Sequence, residues 1–369
     1  MLKIKENDRK QKLLSMSKIQ KIIISHTMRV IGYKDIDRAE WSALVKASAT
    51  GTWFQTPEAY EFFASMPELF KPFVVGVTCD PAGAQTQLRG VCVGYVTVEK
   101  NPIKQFLTRR AIIIGGPALA DDASSEEVEL LMNGVKELMS ERINGSPIYI
   151  ETRNYNDYSR WKDAFVKAGF EYVPHLNFHI DTSSMEIVDA NLGKNRKRDI
   201  RTTIREGVTI IEHPTDEQVC EYYKVLDNLY RTKVKTPLFP LSFFLALSKH
   251  KDGRLLLMEY QGRIIGGTVC VEQANKCVYE WFVCGEDGVY PHVFPSSYAT
   301  YAGIKYASEH GCARFDMMGA GTPDEEYGVR DFKARFGGEL VEHGRFLCVT
   351  KPLLYKIGVL GVKILKKIK

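Results

Sequence analysis

The chain reads as a mixed α/β (α+β) protein of two tandem modules, each a mixed β-sheet flanked by helices. Three observations give this reading. The length, 369 residues, exceeds one ordinary domain and suits two. Each half runs through a meander of Val- and Ile-rich strands and then a strand–helix–strand close. The two closes also match: "YIETRNYNDYSRWKDAFVKAGFEYVPHLNFHID" in the first half, "RFDMMGAGTPDEEYGVRDFKARFGGELVEHGRFLCVT" in the second. Both contain a helix with aromatic and Lys residues that stops at a glycine suited to a left-handed cap. The order of elements implies an internal duplication with little residue identity.

Residues 1–27 form a lysine-rich extension with no clear strand, and Met28 is a second candidate start. Module 1 is expected over 28–183. It opens with a strand and helix in "MRVIGYKDIDRAEWSALVKAS" and a turn and helix in "GTWFQTPEAYEFF". The runs "FKPFVVGVTCD" and "LRGVCVGYVTVEK" are paired strands across a Pro/Gly/Gln loop. "RRAIIIGGPALA" is a strand stopped at Gly115-Gly116-Pro117, and "SSEEVELLMNGVKELMSERI" is a helix with acidic residues in its first turn. Module 2 is expected over 184–350. "DEQVCEYYKVLDNLYRTKVKT" and "LSFFLALSKH" read as helices, the run from 253 to 284 as three strands, and "SSYATYAGIKYASEHG" as a helix. The strand "ARFDMMG", the helix "YGVRDFKARFGG" and the strand "ELVEHGRFLCVT" close it. Residues 351–369 read as a basic amphipathic helix, with Leu353, Ile357, Leu360, Ile364 and Ile368 on one face and Lys356, Lys363, Lys366 and Lys367 on the other.

Composition narrows the classes. With 44% hydrophobic and 26% charged residues, the chain is an ordinary soluble globular protein. A formal charge of +5 is compatible with an acidic partner without requiring one. The eight cysteines form no CxxC pair, and Cys270, Cys277 and Cys284 lie in or beside apolar runs, as buried thiols in a reducing cytoplasm do. No apolar run reaches the length of a membrane span, and "KIIISHTM" is short for a signal peptide. GxSxG, Walker A and HExxH patterns are absent. His175 and His179 share one strand face but lack a third ligand, so no metal is expected.

The candidate chemistry concentrates in the second half. "FDMMGAG" ends a strand in Gly319 and Gly321, which let the backbone turn sharply and a ligand approach the main chain. Lys333 and Arg335 follow on the next helix, beside Phe332. A cation there can hold a phosphate or a developing oxyanion, or it can be a solvated helix face. "GKNRKRDIR" sets Lys194, Arg196, Lys197, Arg198 and Arg201 around a helix start, where cations are unfavourable unless an anion binds. "RTKVKT" adds Arg231, Lys233 and Lys235. Both runs read as phosphate or nucleic-acid contacts or as solvated charge. Tyr279 and Trp281 share one strand face, as ligand contacts or core aromatics, and Asp316 is an acid–base candidate or a structural carboxylate.

"WFQTPEAYEFF", "IIGGPAL", "NLGKNRKRDIRTTIREGV" and "GCARFDMMGAG…YGVRDFKARFGGELVE", in that order, resemble the FemABX peptidyltransferases, which double the GNAT acyltransferase fold. The resemblance covers about Trp41 to Thr350. It implies transfer of an aminoacyl or acyl group to an amine of a phosphate-bearing cell-envelope precursor. It also implies Lys333 and Phe332 at the family's functional pair, and contacts to the precursor's phosphates from the "RTKVKT" segment. No cofactor is expected to stay bound; the donor is aminoacyl-tRNA or acyl-CoA. Two features depart from the pattern. Residues 191–207 leave no room for the long helical arm implicated in handling aminoacyl-tRNA. "GEDGVYPHVFPSS" replaces the Gln/Arg-x-x-Gly-x-Gly/Ala loop that cradles the pyrophosphate of acetyl-CoA. An acyl-CoA N-acetyltransferase and a non-catalytic binder of a glycan or peptidyl precursor remain alternatives. The expected setting is the cytoplasm, with the tail on an anionic, lipid-bearing membrane face.

Overall fold

The computed structural model describes residues 28–80, 86–140 and 146–367, with side chains to 360. The expected extension at 1–27 lies outside the described residues. The chain divides into two compact units, one formed by 1–172 with 346–369 and the other by 173–345.

The first unit opens with β1 (Met28–Gly32), α1 (Arg38–Ala47) and α2 (Pro57–Ala64). Both helices start on side-chain caps: Asp37 accepts from the Ala39 and Glu40 amides, and Thr56 from Ala59. β2 (Phe70–Cys79) and β3 (Gln87–Thr97) pair antiparallel, as the Val-rich runs predict. α3 (Pro102–Thr108), β4 (Ala111–Gly115), β5 (Ala118–Leu119), α4 (Ser125–Ser140), β6 (Tyr149–Asn154), α5 (Lys162–Lys167) and β7 (Glu171–Val173) follow. α3 was not read from the sequence.

β3 and β4 are paired only at Tyr95↔Ile112 and Val96↔Ala111 and then part. The buried Gln55 fills the gap. Its Nε2 donates to the carbonyls of Val93 (3.0 Å) and Ile114 (2.9 Å), and its Oε1 accepts from the Val93 amide at 2.7 Å. Trp41 Nε1 in turn donates to the Gln55 carbonyl at 2.6 Å. One side chain thus satisfies the backbone groups that the ladder leaves unpaired. The following Gly-Gly-Pro turn is closed by Tyr158, whose hydroxyl lies 2.7 Å from the Pro117 carbonyl. Gly116 has φ +75°, and a Cβ there would meet the Tyr158 hydroxyl at 2.5 Å, so glycine is required twice over.

The second unit contains β8 (Leu176–Asp181), α6 (Met185–Asn191), α7 (Lys194–Arg205), β9 (Thr209–Ile211), α8 (Asp216–Leu229), α9 (Leu241–Lys249), β10 (Gly253–Tyr260), β11 (Arg263–Gln273), β12 (Cys277–Gly285), α10 (Pro295–Glu309), β13 (Arg314–Asp316), α11 (Gly328–Ala334) and β14 (Glu339–Glu342). Its sheet runs β14-β8-β13-β12-β11-β10-β9. Leu256, Met258, Val278, Phe315 and Phe336 are among the buried residues of its core. The chain then returns to the first unit in β15 (Arg345–Val349) and α12 (Pro352–Lys367). The first sheet runs β1-β2-β3-β4-β6-β15-β7, with β5 also on β3.

The two closing strands are therefore exchanged relative to the sequence reading. β8, expected to end module 1, lies between β14 and β13 of the second sheet, and β15, expected to end module 2, lies between β6 and β7 of the first. The boundary falls at 172/173 rather than 183/184, and the last strand and tail belong to the first unit. The run "ELVEHGRFLCVT" is accordingly two strands, divided at Gly344, which has φ +63°. Phe346 explains why β15 suits its place: its ring stacks on Phe165 with centroids 3.9 Å apart, inside the first unit's core.

Candidate functional site

The second unit's sheet opens at one place. β12 and β13 pair in parallel at Cys277↔Arg314, Val278↔Phe315 and Tyr279↔Asp316. β12 then continues to Gly285, while β13 stops and the chain turns away. β12 also carries an irregularity here: Cys270 pairs with Glu280 and Val269 with Phe282, so Trp281 is skipped. Such a bulge re-aims side chains next to a site.

The departing turn is rigidly held. Met318 has φ +53°, Gly319 +100° and Gly321 +79°. The fully buried Asp316 accepts from the Met318 amide at 2.8 Å, and Asn177 Oδ1 accepts from the Gly319 amide at 2.9 Å. Ala320 N donates to the Leu176 carbonyl at 2.7 Å. Asp316 also accepts from Asn177 Nδ2 at 2.7 Å and faces His179 Nε2 at 3.1 Å. Burial pushes its carboxyl up, but the His179 contact, Arg314 and Asn177 outweigh this and hold it below the ordinary range. Of the two sequence readings, the geometry fits an ionised carboxylate that fixes the turn.

Lys333, on α11, is buried, with 7% exposure. Its ammonium donates to the carbonyls of Met317 and Gly319, the latter at 2.6 Å. An ammonium has three donors, so one remains. Burial lowers its pKa, and the charges of Glu280 and then Asp316 oppose that. Glu280, on β12, is the residue that the sequence reading missed. It is 3% exposed, and its Oε1 accepts from Thr268 at 3.2 Å, while Oε2 makes no hydrogen bond of ordinary geometry. Burial raises its pKa, and Lys333 and the hydroxyls of Thr300 and Thr268 oppose the rise. A buried carboxyl pushed up and a buried ammonium pushed down, each sensing the other's charge, make Glu280 and Lys333 the candidate proton-handling groups of this unit. A lone carboxylate inside the apolar run "VYEWFVC" was the available signal.

The other predicted residues divide. Tyr279 is fully buried, its hydroxyl 3.4 Å from Gln273 Oε1, and is a core aromatic. Trp281 packs edge-on against Phe243 at 5.2 Å. Arg196 is not a surface anion contact. It is 4% exposed, lies 4.6 Å over the rings of both Phe332 and Phe336, and donates to Ser297 and the Phe332 carbonyl. Its guanidinium is thus spent on positioning α11, and Phe332 is the half-buried ring beneath it. Arg198 is exposed beside Asp199, and Arg231 is exposed beside Asp227, each pair at 3.4 Å. Arg335 is exposed, and its carbonyl accepts from the Gly193 amide at 3.1 Å. "RTKVKT" forms a π-helical turn over Tyr230–Val234, ended by Lys235 at φ +56°. Lys233 lines a cleft of about 580 Å³ with Lys224, Arg263, Glu221, Glu286 and Asp287.

The start of α10 is occupied by the chain itself. Asp287 Oδ1 accepts from the Ser296 amide at 3.2 Å. A Cβ on Gly285 would lie 2.5 Å from that same Ser296 nitrogen, so β12 abuts the helix end. Burial raises the pKa of Asp287 against the Ser296 hydrogen bonds and the charges of Arg196 and Lys233. A carboxylate thus sits where helix N–H groups otherwise receive a phosphate. Among the described residues, no cluster of three or more His, Cys, Asp or Glu is placed to hold a metal.

Comparison with known proteins bears on the fold. Residues 256–361 match the sequence model of the FemAB family. The structure of FemX superposes with a TM-score of 0.64 at 15% identity, covering 89% of this chain and 99% of that one. L-PGS from Bacillus licheniformis gives 0.52 at 12% identity, covering 90% and 97%. A tandem GNAT protein from the clavulanic acid biosynthesis pathway, without AcCoA, gives 0.50 at 10%, covering 87% and 98%. A search of curated protein sequences finds no match. Residues 256–361, which hold β12, β13 and α11, are thus similar to the FemAB family, and the two mixed α/β units share the tandem fold of FemX and of the GNAT-like protein.

Proposed function

We propose that the chain is an aminoacyltransferase of the cell envelope, which moves an aminoacyl group from an activated ester to an amine on a phosphate-bearing precursor. The observation that carries the reading is the Glu280–Lys333 pair at the opening between β12 and β13. In such a transfer the amine attacks the ester carbonyl, the C–N bond forms, the C–O bond breaks, and the amine loses a proton. Glu280, ionised, would take that proton and pass it to the departing ester oxygen, which leaves as a hydroxyl; its raised pKa makes it a better base than an exposed carboxylate. Lys333, with one donor left, would stabilise the oxyanion in a dry environment where such a contact is strong. Lys233, Lys235, Arg198, Arg231 and Arg335, all exposed, are the predicted cations left to meet the acceptor's phosphates.

The choice of an ester donor over acyl-CoA rests on Asp287 and Gly285, which fill the α10 terminus. A pyrophosphate there would meet a carboxylate rather than free amides. Aminoacyl-tRNA is the ester donor the family resemblance suggests. The second reading, an acyl-CoA N-acyltransferase, is favoured by the GNAT-like fold alone. The test is a transfer assay with labelled aminoacyl-tRNAs and acyl-CoAs against envelope precursors carrying a free amine. Transfer from aminoacyl-tRNA supports the proposal. Turnover with acyl-CoA alone overturns it.

A further inference from the structure

The first unit carries an apolar surface that none of its described residues covers. α3 is a seven-residue helix that buries none of its residues. Ile103, Phe106 and Leu107 are 72%, 56% and 47% exposed. A helix this short is not stable by propensity, and it is held instead from its polar side. Asn101 caps it by accepting from the Ile103 and Lys104 amides, and Gln105 donates to the Thr97 carbonyl at 2.9 Å and accepts from the Glu99 amide. The chain thus fixes a helix whose apolar residues face water.

α12 repeats the arrangement. Its Tyr355 packs edge-on against Tyr149 with centroids 5.6 Å apart, while Leu353, Ile357 and Leu360 are 79%, 63% and 59% exposed. They recur at four and three residues, one helical stripe. The two helices are neighbours: the Lys351 ammonium, just before α12, lies 5.5 Å over the Phe106 ring. Exposed large apolar side chains from two adjoining elements are more than the scattered singles of an ordinary surface.

The sequence of these two segments is mostly basic. From 350 to the end, the sequence has lysines at 351, 356, 363, 366, 367 and 369 and no acidic residue. Around α3, Lys100, Lys104, Arg109 and Arg110 stand against Glu99 alone. Exposed apolar side chains on lysine-rich helices too short or too charged to span match the interface of an anionic bilayer. No helix among the described residues is long and apolar enough to cross one.

We infer that α3 and α12 together form a docking surface for an anionic lipid bilayer. This extends the tail reading to a second element, and it stands apart from the transfer reaction because the readout is binding. The test is co-sedimentation of the full chain with phosphatidylglycerol vesicles at low salt, with pure phosphatidylcholine vesicles and high salt as controls. The chain is expected to pellet with the anionic vesicles and to lose this in both controls. Ile103→Glu with Phe106→Glu, and separately Leu353→Glu with Ile357→Glu, should each lower the partition coefficient about tenfold or more, given the apolar area withdrawn. All four positions are exposed, and unchanged thermal unfolding would verify the fold of both variants. Wild-type binding by the α3 variant overturns the two-helix surface. Failure of the wild type to pellet overturns the proposal, and so does a concentration-dependent dimer that the same variants dissociate, which assigns the face to a second copy.

Discussion

The Lys333 ammonium donates to the Gly319 carbonyl at 2.6 Å, so the last turn of α11 is tied to the backbone that leaves β13. The same cation is the charge partner of Glu280 across the opening of the sheet. One side chain therefore shapes the turn and supplies the site's positive charge. Two roles in one residue call for experiments that separate them.

Lys333→Met should lower the transfer rate about 10²–10³-fold, the usual cost of losing one oxyanion donor. It should also destabilise the protein by about 3–5 kcal/mol, because Glu280 is left as an unpaired buried charge. Adding Glu280→Gln should recover most of the stability and none of the rate. Urea unfolding and a transfer assay on both variants read the two effects. Wild-type transfer by Lys333→Met would remove the lysine from the mechanism.

Glu280→Gln should change the pH dependence of stability in a defined direction. Burial raises the folded pKa above the ordinary value of 4.5, so the folded state keeps a proton that the unfolded state has lost. That contribution is fully present below the unfolded value and is lost as pH rises through the folded one. The variant should therefore lose less stability than wild type as pH rises from the ordinary carboxylate range. The acidic limb of its rate profile should vanish. Parallel stability profiles for the two proteins would contradict the assignment.

Calorimetric titration with acetyl-CoA should give no micromolar binding, since Asp287 already accepts from the Ser296 amide at the start of α10. Asp287→Ala should cost about 1 kcal/mol of stability, the usual value of a helix N-terminal acceptor. Tight acetyl-CoA binding by the wild-type protein would show that the carboxylate leaves room for the pyrophosphate.

Gln55→Leu should destabilise the first unit by several kcal/mol. It would leave the Val93 amide and the Val93 and Ile114 carbonyls without their partner, at about 1–3 kcal/mol for each group stranded in the interior. Thermal unfolding followed by tryptophan fluorescence should show the change, because Trp41 donates to the Gln55 carbonyl. A shift no larger than that of a surface substitution would mean the strands close up without the glutamine.

Arg196→Lys should fail to replace arginine. A lysine has no planar group to lie between Phe332 and Phe336, where the guanidinium is 4.6 Å from both rings. A loss of about 1–2 kcal/mol is expected. A fall in transfer rate smaller than that of Lys333→Met should accompany it, since Arg196 acts through α11. Transfer and unfolding measured on one preparation would check both.

The sequence by itself determined the elements that depend on local pattern. The Val-rich runs became β2 and β3, the apolar runs of the second half became β10 and β11, and the helix-ending glycines took their expected left-handed conformations at Gly169 and Gly337. Gly319 and Gly321 turn the chain after β13, and Lys333 lies beside that turn, as "FDMMGAG" and "DFKARFGG" suggested. Tertiary structure decided what depends on partners far away in the chain. Strand pairing is non-local, so nothing within "LNFHID" or "RFLCV" reveals that β8 and β15 join opposite sheets. A cation run gives charge but not direction: Arg196 turned into the interior, while Arg198, two residues on, stayed exposed. Glu280 was invisible as a site because a single carboxylate in an apolar strand gains chemical meaning only from what is buried beside it, and that neighbour, Lys333, lies 53 residues further along the chain.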